Sequence, residues 1–381
     1  MSEPTPAVPP GVGDSTTGEP VPFRAGFAVL VGRPNAGKST LTNALVGQKV
    51  AITSSRPQTT RHTIRGIVHR PEGQLVLVDT PGLHRPRTLL GERLNDLVAD
   101  TLTEVDVIGF CVPADEKIGP GDRFIAQQLA ASGNKPVVAI VTKTDTVSRA
   151  ELAEQLLAVT ELGRSVMEAE HRVRAERAER AARKPRHRSA AAHAPRPDAD
   201  DPGWADVIPV SAVDGFQVDA LAGLLIGRMP ESPALYPDGE LTDEPEMTMV
   251  AELVREAALE GVRDELPHSL AVVVEEMVPR EGRPADRPLL DVRVNVYVER
   301  PSQKAIVIGR GGSRLREIGT DSRAAIEALL GTKVYLDLHV KVAKEWQRDP
   351  KQLSHLGFSD PLRHVSPVAG PPAGRWGGPL A

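Results

Sequence analysis

Gly32-Arg33-Pro34-Asn35-Ala36-Gly37-Lys38-Ser39 carries the spacing G-x-x-x-x-G-K-[ST], directly after an apolar run, Phe27 to Val31, and at the start of a helical stretch. Such a loop turns backbone N–H groups inward around phosphate oxygens, and the helix that follows adds its dipole. Lys38 would face the β/γ-phosphates as a point charge, the Ser39 hydroxyl would ligate Mg²⁺, and Thr40 completes the candidate contacts of this segment. Asp79-Thr80-Pro81-Gly82 follows a second apolar run, Leu75 to Val78. A carboxylate at the end of a buried strand is placed to hold Mg²⁺ through water, and Gly82 can bring its N–H to a γ-phosphate. Thr142-Lys143-Thr144-Asp145 ends a third run, Val137 to Val141. A carboxylate there accepts from N1–H and the 2-amino group of guanine, donors that adenine lacks, so Asp145 selects GTP and GDP over adenine nucleotides. The Lys143 stem would lie along the base, and Ser211-Ala212 would supply a backbone N–H to guanine O6.

A second glycine motif, Gly309-Arg310-Gly311-Gly312, lies far downstream between two helical stretches. KH modules use G-x-x-G to let an RNA backbone approach a helix N-terminus, clamping about four nucleotides. Arg310, Lys304, Arg314 and Arg316 add positive charge around it. Lys341, Lys344 and Trp346 form a basic and aromatic cluster that suits either an RNA contact or a helix end with a packed Trp346.

The elements that must position these residues follow from hydrophobic periodicity. Val105 to Val112 and Val207 to Val210 repeat the buried-strand pattern, while Ser39 to Val46 and Asp122 to Ala131 read as helices. Strand-helix alternation over 26–228 implies an α/β fold with a doubly wound parallel sheet. After the proline-rich linker 229–246, Met247 to Gly261 reads as an amphipathic helix. Leu270 to Val274, Leu290 to Val298 and Val334 to Val342 read as strands, and Ser313 to Leu330 as a helix. The order α-β-β-α-α-β over 247–350 predicts a three-stranded sheet with helices on one face. Residues 1–25 and 351–381 read as tails, disordered at the N-terminus and from about 365. An insertion at about 164–203 holds nine Lys/Arg between His171 and Arg196 against two acids. Its first half can continue the helix begun at Ala150, whereas prolines keep its second half from being a regular element. The bland reading is a solvated mobile segment, and the functional one an arm for RNA or another anionic surface.

Composition sets the outer limits. The chain has 381 residues and a formal net charge of -5, so a nucleic-acid partner requires a local basic surface. Aromatics are 3% of the chain, which excludes a surface paved with base-stacking rings. The single cysteine, Cys111, excludes a disulfide framework and fits a reducing compartment. The N-terminus lacks a signal-peptide pattern, and no apolar run approaches the ~18 residues of a membrane span, so the expected location is the cytoplasm or the membrane periphery.

Taken together, Pro34-Asn35 in the phosphate loop, Gln58-Thr59-Thr60-Arg61-His62 as a first switch, and Asp79-Thr80-Pro81-Gly82-Leu83-His84 resemble the Era GTPases, over roughly residues 24 to 350. The resemblance implies a P-loop GTPase domain joined to a C-terminal α+β type II KH domain. It implies further that GTP is hydrolysed to GDP and phosphate as a checkpoint in 30S assembly, by a monomer. The implied partner is the 3′ end of 16S ribosomal RNA, with peripheral contact at the membrane's inner face. Lys38, Thr60 and Gly82 are the candidate catalytic residues, with Thr60 joining Ser39 and Asp79 on Mg²⁺. Two departures stand out. Thr142 replaces the usual Asn of N-K-x-D, and its hydroxyl can replace one hydrogen bond at most. Leu83 stands where Ras-like enzymes place a water-orienting Gln, so turnover is expected to need a partner or a monovalent cation, potassium, near Asn35. The rival reading is an RNA-binding assembly factor that holds nucleotide as a structural ligand.

Overall fold

Apolar runs become the strands that carry the first set of motifs. In this computed structural model, which describes residues 22–53, 64–82, 88–132, 135–182, 203–260, 269–284 and 286–358, the first sheet contains six strands. They are β1 (Arg24–Val31), β2 (Ile64–Arg70), β3 (Gly73–Asp79), β4 (Val107–Pro113), β5 (Val137–Thr142) and β6 (Asp206–Pro209). Their spatial order is β2-β3-β1-β4-β5-β6, and the four pairs among β3, β1, β4, β5 and β6 are parallel. The expected wholly parallel sheet is corrected at one edge: β2 runs antiparallel to β3. Gly66 and the polar Arg65, His69 and Arg70 interrupt its apolar run, which hides the strand from a periodicity reading. The outer edge of β2 is covered by the linker, where Ile67 N–H donates to Leu241 O at 2.8 Å. Gln74 Oε1 accepts from the N–H groups of Leu235 and Tyr236 at 2.7 and 2.9 Å. The segment expected as a plain linker is therefore a strap on the sheet.

Alternate residues of the sheet face two helical layers. Ala28 and Leu30 pack with α1 (Lys38–Val46) and α5 (Val218–Gly227), whereas Val29 and Val31 pack with α2 (Leu89–Glu104), α3 (Pro120–Ala131) and α4 (Arg149–Ala182). α4 carries the helix begun near Ala150 through the first half of the basic stretch, as its sequence allows. Its buried Val159, Leu162 and Val166 continue the core, and Arg174 Nη2 donates to Ala130 O at the end of α3, 3.0 Å away. Residues 183–202 of the basic insertion lie outside the described residues, as do 1–21, Gln58 to His62, Leu83 and the chain beyond 358.

The second unit has the expected order: α6 (Glu246–Leu259), β7 (Ala271–Pro279), β8 (Leu289–Val298), α7 (Pro301–Ile308), α8 (Ser313–Leu330) and β9 (Lys333–Val342). β7 is antiparallel and β9 parallel to β8. Val292, Val294 and Val296 face Val250, Val254, Ile318 and Ile326 of the helices. The opposite face is partly covered as well: Asn295 and Tyr297 are 2% and 9% exposed. Residues 351–358, expected in a tail, explain part of this. Leu353 of α9 (Pro350–His355), with Leu356 and Phe358, joins Ala271, Tyr297 and Trp346, and Leu90 and Leu94 of α2 complete the cluster. Among the described residues no helix is long and apolar enough to cross a membrane.

Candidate functional site

The phosphate loop forms because β1 ends against buried neighbours and α1 begins at Lys38, after a glycine with φ +83°. Lys38 is 6% exposed, and its Nζ donates to the loop's own carbonyls, Gly32 O at 3.3 Å and Arg33 O at 3.1 Å. Burial pushes the Lys38 ammonium below its ordinary range, against the opposite pull of Asp79 and Cys111. A polyanion arriving in the loop would relieve that cost. The Arg33 guanidinium points elsewhere: Nε is 2.7 Å from buried Asp122 Oδ1, and Nη1 is 3.1 Å from Glu116 Oε2. Arg33 thus anchors the loop to α3, and only its backbone remains available to phosphate.

Ser39 Oγ donates to Asp79 Oδ2 at 2.7 Å, which brings the two candidate Mg²⁺ residues together. Hydroxyl and carboxylate oxygens fit a hard divalent cation that keeps some of its waters. Thr80 Oγ1 donates to Leu30 O at 3.1 Å and holds the turn after β3. A Cβ on Gly82 would lie 2.9 Å from Pro34 N, so Gly82 passes directly against Pro34 of the phosphate loop. Below the loop, burial pushes the Cys111 thiol up to about 12, which makes it an inert wall.

At the base end, Thr142 Oγ1 donates to Ala36 O at 2.8 Å. The expected single replacement for the Asn amide is therefore present, and it joins β5 to the phosphate loop. Lys143 has φ +57°, and its Nζ lies 3.3 Å from Asp115 Oδ2. Asp145 is exposed after Thr144, and its Oδ1 accepts from Ser211 Oγ at 2.7 Å, an aim-setting bond for a carboxylate that must meet a base edge. Ser211 N–H already donates to Phe216 O at 3.1 Å, so of the pair Ser211-Ala212 the backbone donor for O6 falls to Ala212. These motifs converge at the carboxyl ends of β1, β3, β5 and β6, the place where open α/β sheets bind ligands. Thr60 and Leu83 lie outside the described residues.

The second candidate site lies between α7 and α8. Gly309, Gly311 and Gly312 have φ of +72°, +59° and +77°, and α8 starts at the next residue. Arg310 and Arg316 are exposed and Lys304 half-buried. Arg314 is not free for RNA: Nη2 donates to Ala257 O at 3.3 Å and to Glu260 O, and Nη1 pairs with Glu317 at 2.7 Å. Between α8 and the edge strand β9 runs a groove of about 340 Å³, lined by Leu315, Arg316, Gly319, Arg323, Leu336 and Leu338. The sequence reading missed it, although Gly319 inside a helix facing an edge strand signals a close approach. Trp346 is fully buried, with Nε1 donating to Ser269 O at 3.0 Å, so the alternative of packing holds over RNA contact.

Comparison with known proteins agrees with both halves. A family model described as 50S ribosome-binding GTPase matches residues 27–143, and one described as KH domain matches residues 265–347. The chain is 65% identical to the GTPase Era of Streptomyces coelicolor over 88% of this chain and 95% of that one. It is 59% identical to the GTPase Era of a Nocardioides species, over 88% and 96%. Among solved structures it is similar to Era in complex with MgGDPNP and nucleotides 1506–1542 of 16S ribosomal RNA. That match has a TM-score of 0.73 and 31% identity, and covers 88% of this chain and 99% of the other. An Era of Aquifex aeolicus bound to GDP·AlF4⁻ matches equally, with a TM-score of 0.73 and 31% identity.

Proposed function

The chain belongs to the Era family of GTPases, and from that premise we propose that it binds the 3′ end of 16S ribosomal RNA and spends one GTP as a checkpoint in 30S assembly. One observation carries the reading. A phosphate loop braced through Thr142 Oγ1 to Ala36 O, with Asp145 held by Ser211 Oγ, shares a chain with an open G-x-x-G loop beside a groove of about 340 Å³. The structural neighbour that holds both MgGDPNP and 16S RNA supports it.

In this reading Lys38 and the loop amides hold the β/γ-phosphates, Asp145 reads guanine, and Ser39 and Asp79 hold Mg²⁺ together with Thr60. The cation, when bound, neutralises charge on the phosphate oxygens. Gly82 N–H meets the γ-phosphate. Leu83 cannot orient water, so hydrolysis waits for the ribosomal subunit or for potassium near Asn35. RNA phosphates lie along Gly309 to Gly312, with Lys304, Arg310 and Arg316 as cations, and bases enter the groove beside β9. The protein works as a cytoplasmic monomer.

Single-turnover phosphate release, measured with and without small ribosomal subunits, tests this. The expected result is release that rises with subunits and falls again when excess 3′-terminal 16S RNA competes. Release indifferent to subunits would overturn the checkpoint reading.

A further inference from the structure

At the base end of the nucleotide site the protons can be counted. Thr142 closes β5 at 4% exposure, and its hydroxyl donates to Ala36 O of the phosphate loop at 2.8 Å. A hydroxyl carries one proton, so that bond leaves Thr142 with lone pairs only. Rotation offers no second use for it. The side chain is β-branched and stiff at χ1, and a Cβ on Gly37 would lie 3.5 Å from both its Cβ and its Oγ1. The neighbouring side-chain donors are spent as well. Lys143 Nζ pairs with Asp115 at 3.3 Å, and Ser211 Oγ donates to Asp145 Oδ1 at 2.7 Å. Ser211 N–H donates to Phe216 O, whereas Ala212 N–H has no acceptor among the described residues and is left for guanine O6.

Guanine presents its groups in a fixed order along one edge: the 2-amino group, N1–H, O6, N7, and then the carbon beside the glycosidic nitrogen. O6 and N7 are both acceptors. With N1 held by Asp145 and the phosphates in the loop Gly32–Ser39, N7 comes between O6 and the phosphate loop, on the side where Thr142 meets Ala36. An acceptor there needs a donor. Thr142 offers an oxygen whose proton already points at Ala36, and two lone pairs facing each other gain nothing. A carboxamide at 142 would differ, because its nitrogen carries two protons, one for Ala36 O and one for N7.

We propose that Thr142 sets the base specificity of this site by leaving N7 unread, so that the protein takes guanosine triphosphates by the N1, N2 and O6 edge alone. A triphosphate with C–H in place of N7 then binds as GTP does, whereas changes at N1 or N2 are still rejected through Asp145. Threonine keeps the brace to the phosphate loop and gives up one contact to the base. The inference rests on the reading of the motifs from Gly32 to Ala212 as a guanine-nucleotide site, and it deepens that reading by naming which atoms of the base are recognised.

Competition against a ribose-labelled fluorescent GDP tests this on the full-length protein with Mg²⁺, using GTP, 7-deaza-GTP and ATP as competitors. In the unaltered protein GTP and 7-deaza-GTP should compete within about twofold of each other, and ATP far more weakly. Thr142→Asn should prefer GTP over 7-deaza-GTP by about fivefold, the worth of one ordinary hydrogen bond. Thr142→Val keeps the shape and loses the proton. Ala36 O is then left without its donor, so GTP and 7-deaza-GTP should weaken together with their ratio still near one. A preference for GTP of about fivefold or more in the unaltered protein overturns the proposal and leaves the GTPase reading standing. A Val variant in which GTP alone weakens overturns it too, because the hydroxyl would have been reading N7. An Asn variant that binds both equally overturns the placement of N7 beside residue 142. The measurement on the unaltered protein needs no variant, so a misfolded Asn or Val chain leaves the test intact. ATP competing as well as GTP, or GTP failing to compete, overturns the guanine-site reading itself.

Discussion

Two glycine loops in this molecule do related work with opposite construction. Gly37 and Gly312 are both left-handed residues standing immediately before a helix, at φ +83° and +77°, so the local geometry is shared. The surroundings are not. A Cβ on Gly32 would lie 2.6 Å from Cys111 O, Lys38 is buried, Arg33 is tied to two acids, and Thr142 braces Ala36. A Cβ on Gly311 or Gly312 would meet nothing within 4 Å. The enclosed loop is preformed around one compact anion, and its desolvated Lys38 awaits that anion. The open loop leaves room for a polymer to enter and leave along its length, and its affinity comes from phosphate contacts that salt weakens. Gly32 is required because protein is close, whereas Gly311 and Gly312 stand in open space where a ligand can approach.

The largest expected effect tests enclosure. Lys38→Ala removes a buried cation of the phosphate loop, and nucleotide titration should detect no GTP binding. Retained affinity would mean that the enclosed loop tolerates loss of a cation as an open one does. Gly311→Asp tests openness. Asp tolerates the left-handed region better than most residues, and the site has space, so the fold should survive. Its charge faces incoming phosphates, and RNA binding should weaken about a hundredfold or more. GTP affinity should stay unchanged, since the candidate nucleotide motifs, Gly32 to Ala212, belong to the first sheet and not to this loop. Loss of both by filter binding and titration would show that the loops are not separate sites.

Asp145→Asn moves from phosphate to base. Ser211 Oγ can still donate to the amide oxygen, which turns the amide nitrogen toward the base edge. Preference should shift from GTP toward xanthosine triphosphate by about tenfold or more, the worth of a charged hydrogen bond lost and a neutral one gained. Competition between the two nucleotides measures it, and unaltered guanine preference would place base recognition elsewhere.

What could be read without the structure follows the same division. Each candidate motif is local, and its strand or helix has a local apolar period, so spacing together with place in the order of elements singled out Lys38, Asp79, Asp145 and Gly309–Gly312. The residues that escaped act across the chain. Glu256 is one acid among several on an amphipathic helix, and nothing near it in sequence indicates Thr53, whose N–H donates to its Oε1 at 2.9 Å. β2 escaped because Gly66 and flanking charges break its run, and the strap that completes its edge comes from a segment rich in proline. Arg314 was read as an RNA contact from its proximity to the loop, but the carbonyl ends of α6 supply acceptors that only folding brings near. The packed tail, Leu353 to Phe358, was too short and too close to polar sequence to show a period.

The smallest expected effect concerns the joint between the two loops. Glu244 sits where the strap meets α6, beside Asp243, Arg65 and Glu252. Burial first, then the charge of Asp243, pushes its carboxyl up to about 7 from an ordinary 4.5, against the pull of Arg65. The folded protein therefore holds a proton on Glu244 between about pH 4.5 and 7 that the unfolded chain releases. Its contribution to stability is full below pH 4.5 and is lost as pH rises through 7. One such proton sets a ceiling of about 1.4 kcal/mol per pH unit on the slope, and partial exposure of the side chain brings the real value well below it. Glu244→Gln, neutral at every pH, should remove this component, so that denaturant midpoints measured from pH 5 to 8 fall less steeply than in the unaltered protein. Because neither loop contains the titrating group, GTP and RNA affinities measured separately should follow the same pH course in both proteins. An unchanged stability slope would mean that Glu244 is solvated in the joint. A slope change accompanied by loss of GTP affinity would mean that the enclosed loop depends on the joint for its shape, and the contrast between a self-sufficient pocket and an open clamp would fail.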